Sequence, residues 1–346
     1  MITQENSLEF GLGALDLWAN HDNFYKSISN GVHVSCEVIR TLRRFIDQAS
    51  LAKAEGEITG LLDELRDLLR ASRLSTIPDS KFHSWPWRVL RFDQLFRFRE
   101  REAMDRLQQL THEIDALISL ADVTKEYGFT MPEIATGQMA VNGEQLTHPF
   151  IRKPIANPVS LDQNKRVLFL TGPNMAGKTT YLRAFATAVY FAHLGMGVPA
   201  TGFRFVPAEH LFSSISLSDD LHRGVSYFRA EALRVKSIAQ AVAAGRRVIA
   251  IMDEPFKGTN VKDAFDASQA ILERFAGKAD CLFMFSSHLI ELSEKLAIAD
   301  RIDCRYFDAD ETQSQLQFDY RLREGVSNQR LGMRVLQEEG IFDLLD

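Results

Sequence analysis

Gly172-Pro173-Asn174-Met175-Ala176-Gly177-Lys178-Thr179 places two glycines, a lysine and a hydroxyl within eight residues. This spacing suits the capture of a polyphosphate. Glycines let the backbone curl with its N–H groups inward, and a helix that starts beside Lys178 adds the positive end of its dipole. Lys178 can then reach β- and γ-phosphates, while Thr179 and the neighbouring Thr180 bring hydroxyls to the site and Thr179 offers an oxygen to Mg²⁺. The flanks agree, because the apolar run Val167 to Thr171 leads in and Thr180-Tyr181-Leu182-Arg183 leads out, a strand passing through a loop into a helix. The alternative is a plain glycine turn between strand and helix.

Two more apolar runs end in groups that can serve the same phosphates. Val248 to Met252 delivers Asp253 and Glu254, and Cys281 to Phe285 delivers Ser286, Ser287 and His288. In parallel α/β sheets, ligands gather at the carboxyl ends of the strands. Asp253 then partners Mg²⁺ directly or through water, and Glu254 polarises the attacking water. His288 hydrogen-bonds a γ-phosphate oxygen or that water. The plainer reading makes Asp253 and Glu254 ordinary loop acids capping the next segment. Ser226, in the polar stretch Ser216 to Glu231, is either the N-cap of a helix or a hydroxyl that addresses a γ-phosphate held by a second subunit.

These groups need elements to position them. Beyond Gly128, short β-type runs alternate with helical segments, the pattern of a mainly parallel sheet covered by helices on both faces. Phe203 to Phe205, Leu211 to Ile215, Arg301 to Phe307 and Leu316 to Tyr320 supply further strands. Before that, strand signal is almost absent. Apolar residues recur at helical spacing from Ser35 to Ala71, including Val38, Leu42, Ile46, Leu61, Leu65 and Leu69, and again from Arg88 to Tyr127. Turn formers gather between, from Leu74 to Trp87. If each run is continuous, the helices extend ~45–60 Å, lengths suited to a lever or to the support of a neighbouring domain.

The 346 residues hold about two domains. Cys36, Cys281 and Cys304 lack metal-ligand spacing, which fits a reduced, cytoplasmic compartment. No signal segment or membrane span is indicated. A net charge of −6 excludes a uniformly basic nucleic-acid protein. Arginines nevertheless cluster at Arg40, Arg43 and Arg44 and at Arg88, Arg91, Arg97, Arg99, Arg101 and Arg106, as a salt-bridged helix face or as contacts to a DNA backbone.

Taken together, the motifs resemble the MutS family of DNA mismatch-repair ATPases, within the ABC ATPase superfamily. The resemblance is carried by the loop with Asn174-Met175, by Gly197-Val198-Pro199-Ala200, Ser218-Asp219-Asp220-Leu221 and Gly224-Val225-Ser226-Tyr227-Phe228, by Asp253-Glu254 with Lys257-Gly258-Thr259, and by Ser287-His288. Leu331-Gly332-Met333 extends it downstream, and it covers roughly residues 85 to 340. It implies an α/β P-loop NTPase of the ABC type, with a central mostly parallel sheet flanked by helices, preceded by an all-α lever or core domain. The division falls at residues 1–130 and 131–346, the second part closing on a C-terminal helical segment. ATP and Mg²⁺ are the implied cofactors, with Glu254, His288 and Lys178 as catalytic groups and Thr179 and Asp253 on the metal. Gly172 to Thr180 hold the nucleotide. A homodimer is implied, in which Ser226 reaches the partner's γ-phosphate in trans and Asn174 positions nucleotide or water.

Three departures stand out. The chain is too short for the family's mismatch-reading region, and Phe98-Arg99-Glu100, which matches the letters of its wedge, sits in a lever helix as a chance match. Pro255-Phe256-Lys257 follows Asp253-Glu254 where relatives usually continue with glycine and arginine. Near Pro154-Ile155-Ala156-Asn157-Pro158 the adenine-stacking aromatic of many relatives is missing, and Ile155 or Phe150 would substitute. The expected function is ATP-driven dimer closure coupled to duplex or branched DNA, in mismatch repair or a related role, with a repair protein as a further partner. The alternatives are an ATP-dependent switch or assembly factor acting on a protein without DNA recognition, and a nucleotide-binding protein with negligible turnover.

Overall fold

The computed structural model describes residues 23–51, 56–80, 85–215, 227–296, 301–310 and 317–327, with isolated residues beyond. The chain divides into two compact units, Met1–Ser119 and Leu120–Asp346. In the first, the described elements are α1 (Asn23–Leu51), α2 (Glu57–Ala71), a 3₁₀ turn (Arg73–Thr76), α3 (Pro86–Gln94), a π-helical segment (Leu95–Arg99) and α4 (Arg101–Glu126), which runs on into the second unit. Ile28, Val32, Cys36, Ile39 and Ile46 recur at three- to seven-residue steps along α1, so one stripe of the helix is buried. Leu62, Leu65 and Leu69 of α2 and Leu107, Leu110 and Ile114 of α4 share the same apolar core.

The two long helical runs are not continuous. Gly56 precedes α2 at φ +85°, a backbone angle outside the right-handed helix, so the first run is two helices. The second run widens at Leu95–Arg99, where the Glu100 N–H bonds to the Leu95 carbonyl (2.8 Å), and Glu100 itself leaves helical geometry at φ −120°, ψ 28°. This widened turn buries the consecutive Leu95 and Phe96. Helical spacing also assigned Val38 to the buried stripe, yet Val38 is exposed, because Cys36 and Ile39 fill that side.

The second unit is built on a six-stranded sheet in the order β12-β9-β4-β8-β7-β6, from β4 (Val167–Thr171), β6 (His210–Ser214), β7 (Val248–Asp253), β8 (Cys281–Ser286), β9 (Ile302–Tyr306) and β12 (Arg323–Glu324). Every pairing is parallel except that of β12 at the edge. A second sheet, β1-β5-β2-β3, joins β1 (Glu133–Ile134), β2 (Val141–Leu146), β3 (Asn157–Leu161) and β5 (Gly202–Phe205). Short β10 (Ala309–Asp310) and β11 (Gln317–Phe318) pair with each other. Helices α5 (Lys178–His193), α6 (Tyr227–Ala243), α7 (Val261–Ala276) and α8 (Ile290–Leu296) complete the unit among the described residues.

All five residues of β4 are buried, as befits a central parallel strand with cover on both faces. Leu168 and Leu170 pack with Leu182, Phe185 and Val189 of α5. Val167 and Phe169 face the opposite layer with Leu272 and Phe275 of α7, where Phe169 stacks on Phe285 (5.8 Å) and Phe275 on Phe283 (4.3 Å). Each fully buried aromatic of this kind contributes ~1.5–3 kcal/mol. β2 and β3 escape an apolar pattern search for a local reason. Gln145 at φ +49° makes a bulge that shifts the register between Gly143 and Leu146, and Pro158 is tolerated because β3 is an edge strand. Among the described residues, no helix is long and apolar enough to cross a membrane.

Candidate active site at the strand ends

The loop Gly172–Gly177 links the end of β4 to the start of α5. Gly172 stands at φ +134°, and a Cβ there would lie 2.5 Å from the Phe307 carbonyl oxygen, so no other residue fits without displacing backbone. Lys178 is the first residue of α5 and is buried; its Nζ donates to the carbonyls of Gly172 (2.7 Å) and Pro173 (3.1 Å). Burial lowers the Lys178 pKa, while Glu254 and Asp253 pull it back upward. Ala176 is buried beneath the loop, whereas Asn174 and Met175 are exposed on it and Thr180 is exposed in the first turn of α5. Tyr181 ties α5 to β3 by donating to the Pro158 carbonyl (2.7 Å), and burial pushes its phenol far above the usual range.

Asp253 ends β7 next to the loop. Its Oδ2 accepts the Thr179 hydroxyl (2.7 Å) and its Oδ1 accepts the Ser286 hydroxyl from the end of β8. The start of α5 and the ends of β7 and β8 are thereby joined through one carboxylate. Glu254 follows at φ +46°, its N–H bonded to Ser286 Oγ (3.0 Å) and to the Ser286 carbonyl (3.2 Å). Those bonds hold a backbone angle that non-glycine residues seldom adopt and aim the carboxylate at the loop. Glu254 lies 3.7 Å from Lys178 Nζ, 3.8 Å from Lys257 Nζ and 4.0 Å from His288 Nδ1. Pro255-Phe256-Lys257 thus brings a cation back to Glu254 while Phe256 is buried.

Beside these groups lies a pocket of about 500 Å³. Pro173, Asn174, Met175, Gly177, Lys178, Thr179, Thr180 and Glu254 line one part, and Leu146, His148, Ile151, Pro154, Ile155 and Tyr320 line another. Gly172, Ala176, Asp253 and His288 are not part of the lining. Burial, reinforced by Arg183, holds the His148 pKa below the usual imidazole range, and Lys153 is the cation of that part of the wall. Ile155 is in the wall; Phe150 is not, and is 85% exposed.

Two residues of this wall escape a motif search. Tyr320, at φ +54°, lies over the loop, where a Cβ on Gly177 would come within 3.3 Å of its ring. Asn157, buried at the start of β3, holds it there. Asn157 Nδ2 donates to the Tyr320 carbonyl (2.9 Å), and Asn157 Oδ1 accepts the Leu322 N–H (2.7 Å). An aromatic within a short apolar run and an asparagine before a proline carry no local signal of that partnership. Only the weak strand signal at Leu316–Tyr320 hinted that Tyr320 belonged near the sheet.

Ser226 lies outside the described residues, as do Ser218-Asp219-Asp220-Leu221 and Leu331-Gly332-Met333, and the C-terminal helical segment is described only at scattered positions. Among the described residues, no three His, Cys, Asp or Glu side chains converge as a metal cage.

The fold and site define a class of α/β protein in which parallel strands end on a glycine loop and on carboxylates that meet it. The description MutS domain V matches residues 168–343, and this chain belongs to the MutS family. It is 26% identical over 303 residues to the DNA mismatch repair protein MutS of Thermosipho melanesiensis, a match covering 86% of this chain and 36% of that protein. The chain therefore spans little more than a third of the curated relative's length.

Proposed function

We propose that this chain is a P-loop ATPase of the ABC type that binds and hydrolyses ATP with Mg²⁺. One observation carries the reading: Lys178, Thr179, Asp253 and Glu254 meet within hydrogen-bonding or ion-pairing reach at the ends of two parallel strands. Thr179 Oγ1 and Asp253 Oδ2, two hard oxygens already in contact, suit Mg²⁺, which takes few protein ligands and otherwise keeps water and phosphate oxygens. When bound, the ion neutralises charge on the transferring phosphoryl group.

Lys178 turns its ammonium from the loop carbonyls to the phosphate oxygens, and the N–H groups of the loop and the first turn of α5 face the same oxygens. Glu254 aligns the attacking water, and His288, 4.0 Å from Glu254, hydrogen-bonds a γ-phosphate oxygen or that water. The apolar part of the pocket, with Ile155 and the Tyr320 ring, takes the base, and about 500 Å³ is the size of an ordinary ligand site. The finer reading is a homodimer whose ATP-driven closure is coupled to DNA, with Ser226 acting in trans and the helices of the first unit as levers. Kinship with the mismatch repair protein supports it.

The test is equilibrium binding of a fluorescent ATP analogue with and without Mg²⁺, alongside phosphate release. Lys178→Ala should lose binding. Glu254→Gln should keep binding and lose turnover, and near-normal turnover in that variant would sink the assignment.

A further inference from the structure

The first unit carries a pocket of about 350 Å³ whose wall includes Arg73, Arg88, Arg91 and Arg99, with Phe92 and Leu95 beside them. Residues 88, 91, 92, 95 and 99 recur at three- and four-residue steps along α3 and the π-helical segment, which gathers them on one face. Most other arginines of this unit are engaged. Arg43 pairs with Asp79 (2.7 Å) and donates to the Ile77 and Leu74 carbonyls, Arg40 donates to the Pro78 carbonyl, Arg106 grips Glu64 through two bonds, and Arg97 pairs with Asp93 (2.7 Å). By contrast, no carboxylate among the described residues pairs with Arg88, Arg91 or Arg99, and Arg73 reaches Glu100 only at 4.0 Å. A salt-bridged helix face would intersperse acids here. Guanidinium groups left around one cavity repel each other until an anion enters it.

The same segment exposes aromatic faces. Trp85 and Trp87 are 54% and 50% exposed and stack on each other at 4.8 Å, and Phe98 is 76% exposed. Trp85 opens the helix that carries the arginines, its main-chain carbonyl accepting the backbone N–H of Arg88 (2.9 Å). Large aromatics left in water on the same helical segment as cations without a carboxylate partner mark an interaction surface. An acidic peptide would use the arginines and leave the indoles idle, and a duplex hides its base faces. Single strands offer phosphates and open bases together, which guanidinium groups and aromatic platforms bind without reading sequence.

We propose that this arginine pocket and its tryptophan pair bind single-stranded nucleic acid. The proposal extends the DNA half of the function above by naming a surface and a strand form, and does not rest on the nucleotide site. The experiment titrates the full chain, without ATP, into labelled oligothymidylate and into a duplex of equal length across a salt series, reading anisotropy and tryptophan emission. Oligothymidylate should bind with quenching, and the duplex at least ~10-fold more weakly.

Arg88→Glu with Arg91→Glu should weaken oligothymidylate binding at least ~10-fold and flatten the log affinity against log salt slope by ~1.4, or ~0.7 per lost phosphate contact. Trp85→Ala with Trp87→Ala should weaken binding ~10-fold at unchanged slope and remove the quenching. Unchanged thermal unfolding of the variants shows that folding is intact, and the milder Arg88→Lys with Arg91→Lys should keep the slope. No binding of oligothymidylate at low salt, equal or tighter binding of duplex, displacement by polyglutamate with the same quenching, or wild-type affinity in both double variants would each overturn the proposal.

Discussion

Asn157→Ala is the perturbation that most directly tests how the pocket wall is held. The side chain is 7% exposed and makes bonds of 2.7 Å to the Leu322 N–H and 2.9 Å to the Tyr320 carbonyl, 163 to 165 residues away in sequence. Alanine leaves both backbone groups without that partner, and water can reach the half-exposed Tyr320, so each loss falls at the lower end of the ~1–3 kcal/mol range for an unmet group. Tyr320 at φ +54° adds strain of ~1 kcal/mol or more that these bonds offset. The total, ~2–4 kcal/mol, is enough for the 320–322 segment to leave its position over the loop. Nucleotide affinity should then fall ~30- to 700-fold, at 1.4 kcal/mol per tenfold. Turnover at saturating ATP should stay within ~2-fold, since Lys178, Asp253 and Glu254 keep their contacts. Titration of a fluorescent ATP analogue and phosphate release at saturation read the two quantities separately. Tyr320→Ala should reproduce the affinity loss, and the double variant should be no worse than the weaker single one, because both remove one device. Wild-type affinity in Asn157→Ala, or losses that add in the double variant, would refute the clamp.

Gly172→Ala should destabilise the second unit by ~2–5 kcal/mol, since it combines a left-handed backbone angle with overlap against the Phe307 backbone; urea unfolding checks this. Gly31→Ala should do the opposite, raising stability by ~0.5–1 kcal/mol in the same measurement, because a Cβ in the middle of α1 meets nothing within 4 Å. Lys178→Met should change how stability depends on pH. The folded-state pKa of Lys178 lies below its ordinary value of 10.5, so the unfolded chain holds the proton longer and wild type gains stability as pH rises from the folded-state value toward 10.5. The stability of wild type relative to Lys178→Met should therefore rise over that window, and a flat difference would show that burial of the charge costs nothing.

Much of the strand-end arrangement was legible because a central parallel strand, covered on both faces, reads as an unbroken apolar run. Val167–Thr171, Val248–Asp253 and Cys281–Ser286 are such runs, and each ends on polar residues that the sheet aligns by register. What stayed hidden depends on partners distant in sequence. Asn157 and Tyr320 acquire their place only when β3 and the chain after β11 come together. The Gln145 bulge disguised β2, and the break at Leu95–Arg99 came from packing two adjacent apolar residues, which a 3.6-residue period does not anticipate. Arginines posed a similar difficulty, since Arg43 and Arg88 look alike in sequence, and only the turn at Leu74–Asp79 separates the one that is engaged from the one that is not.

Glu254, surrounded by Lys178, Lys257 and His288, makes the site an ion exchanger more than an anion trap. The charges of the glycine loop's lysine are already answered from within the chain, so a bare inorganic anion finds little uncompensated potential there. A triphosphate that arrives with its own divalent cation displaces one internal pairing and brings its own neutralisation. The charge brought in on loading is then about half that of the bare triphosphate. Nucleotide affinity at this site should accordingly vary less with ionic strength than affinity at the arginine pocket of the first unit, where among the described residues Glu100, 4.0 Å from Arg73, is the carboxylate to be displaced.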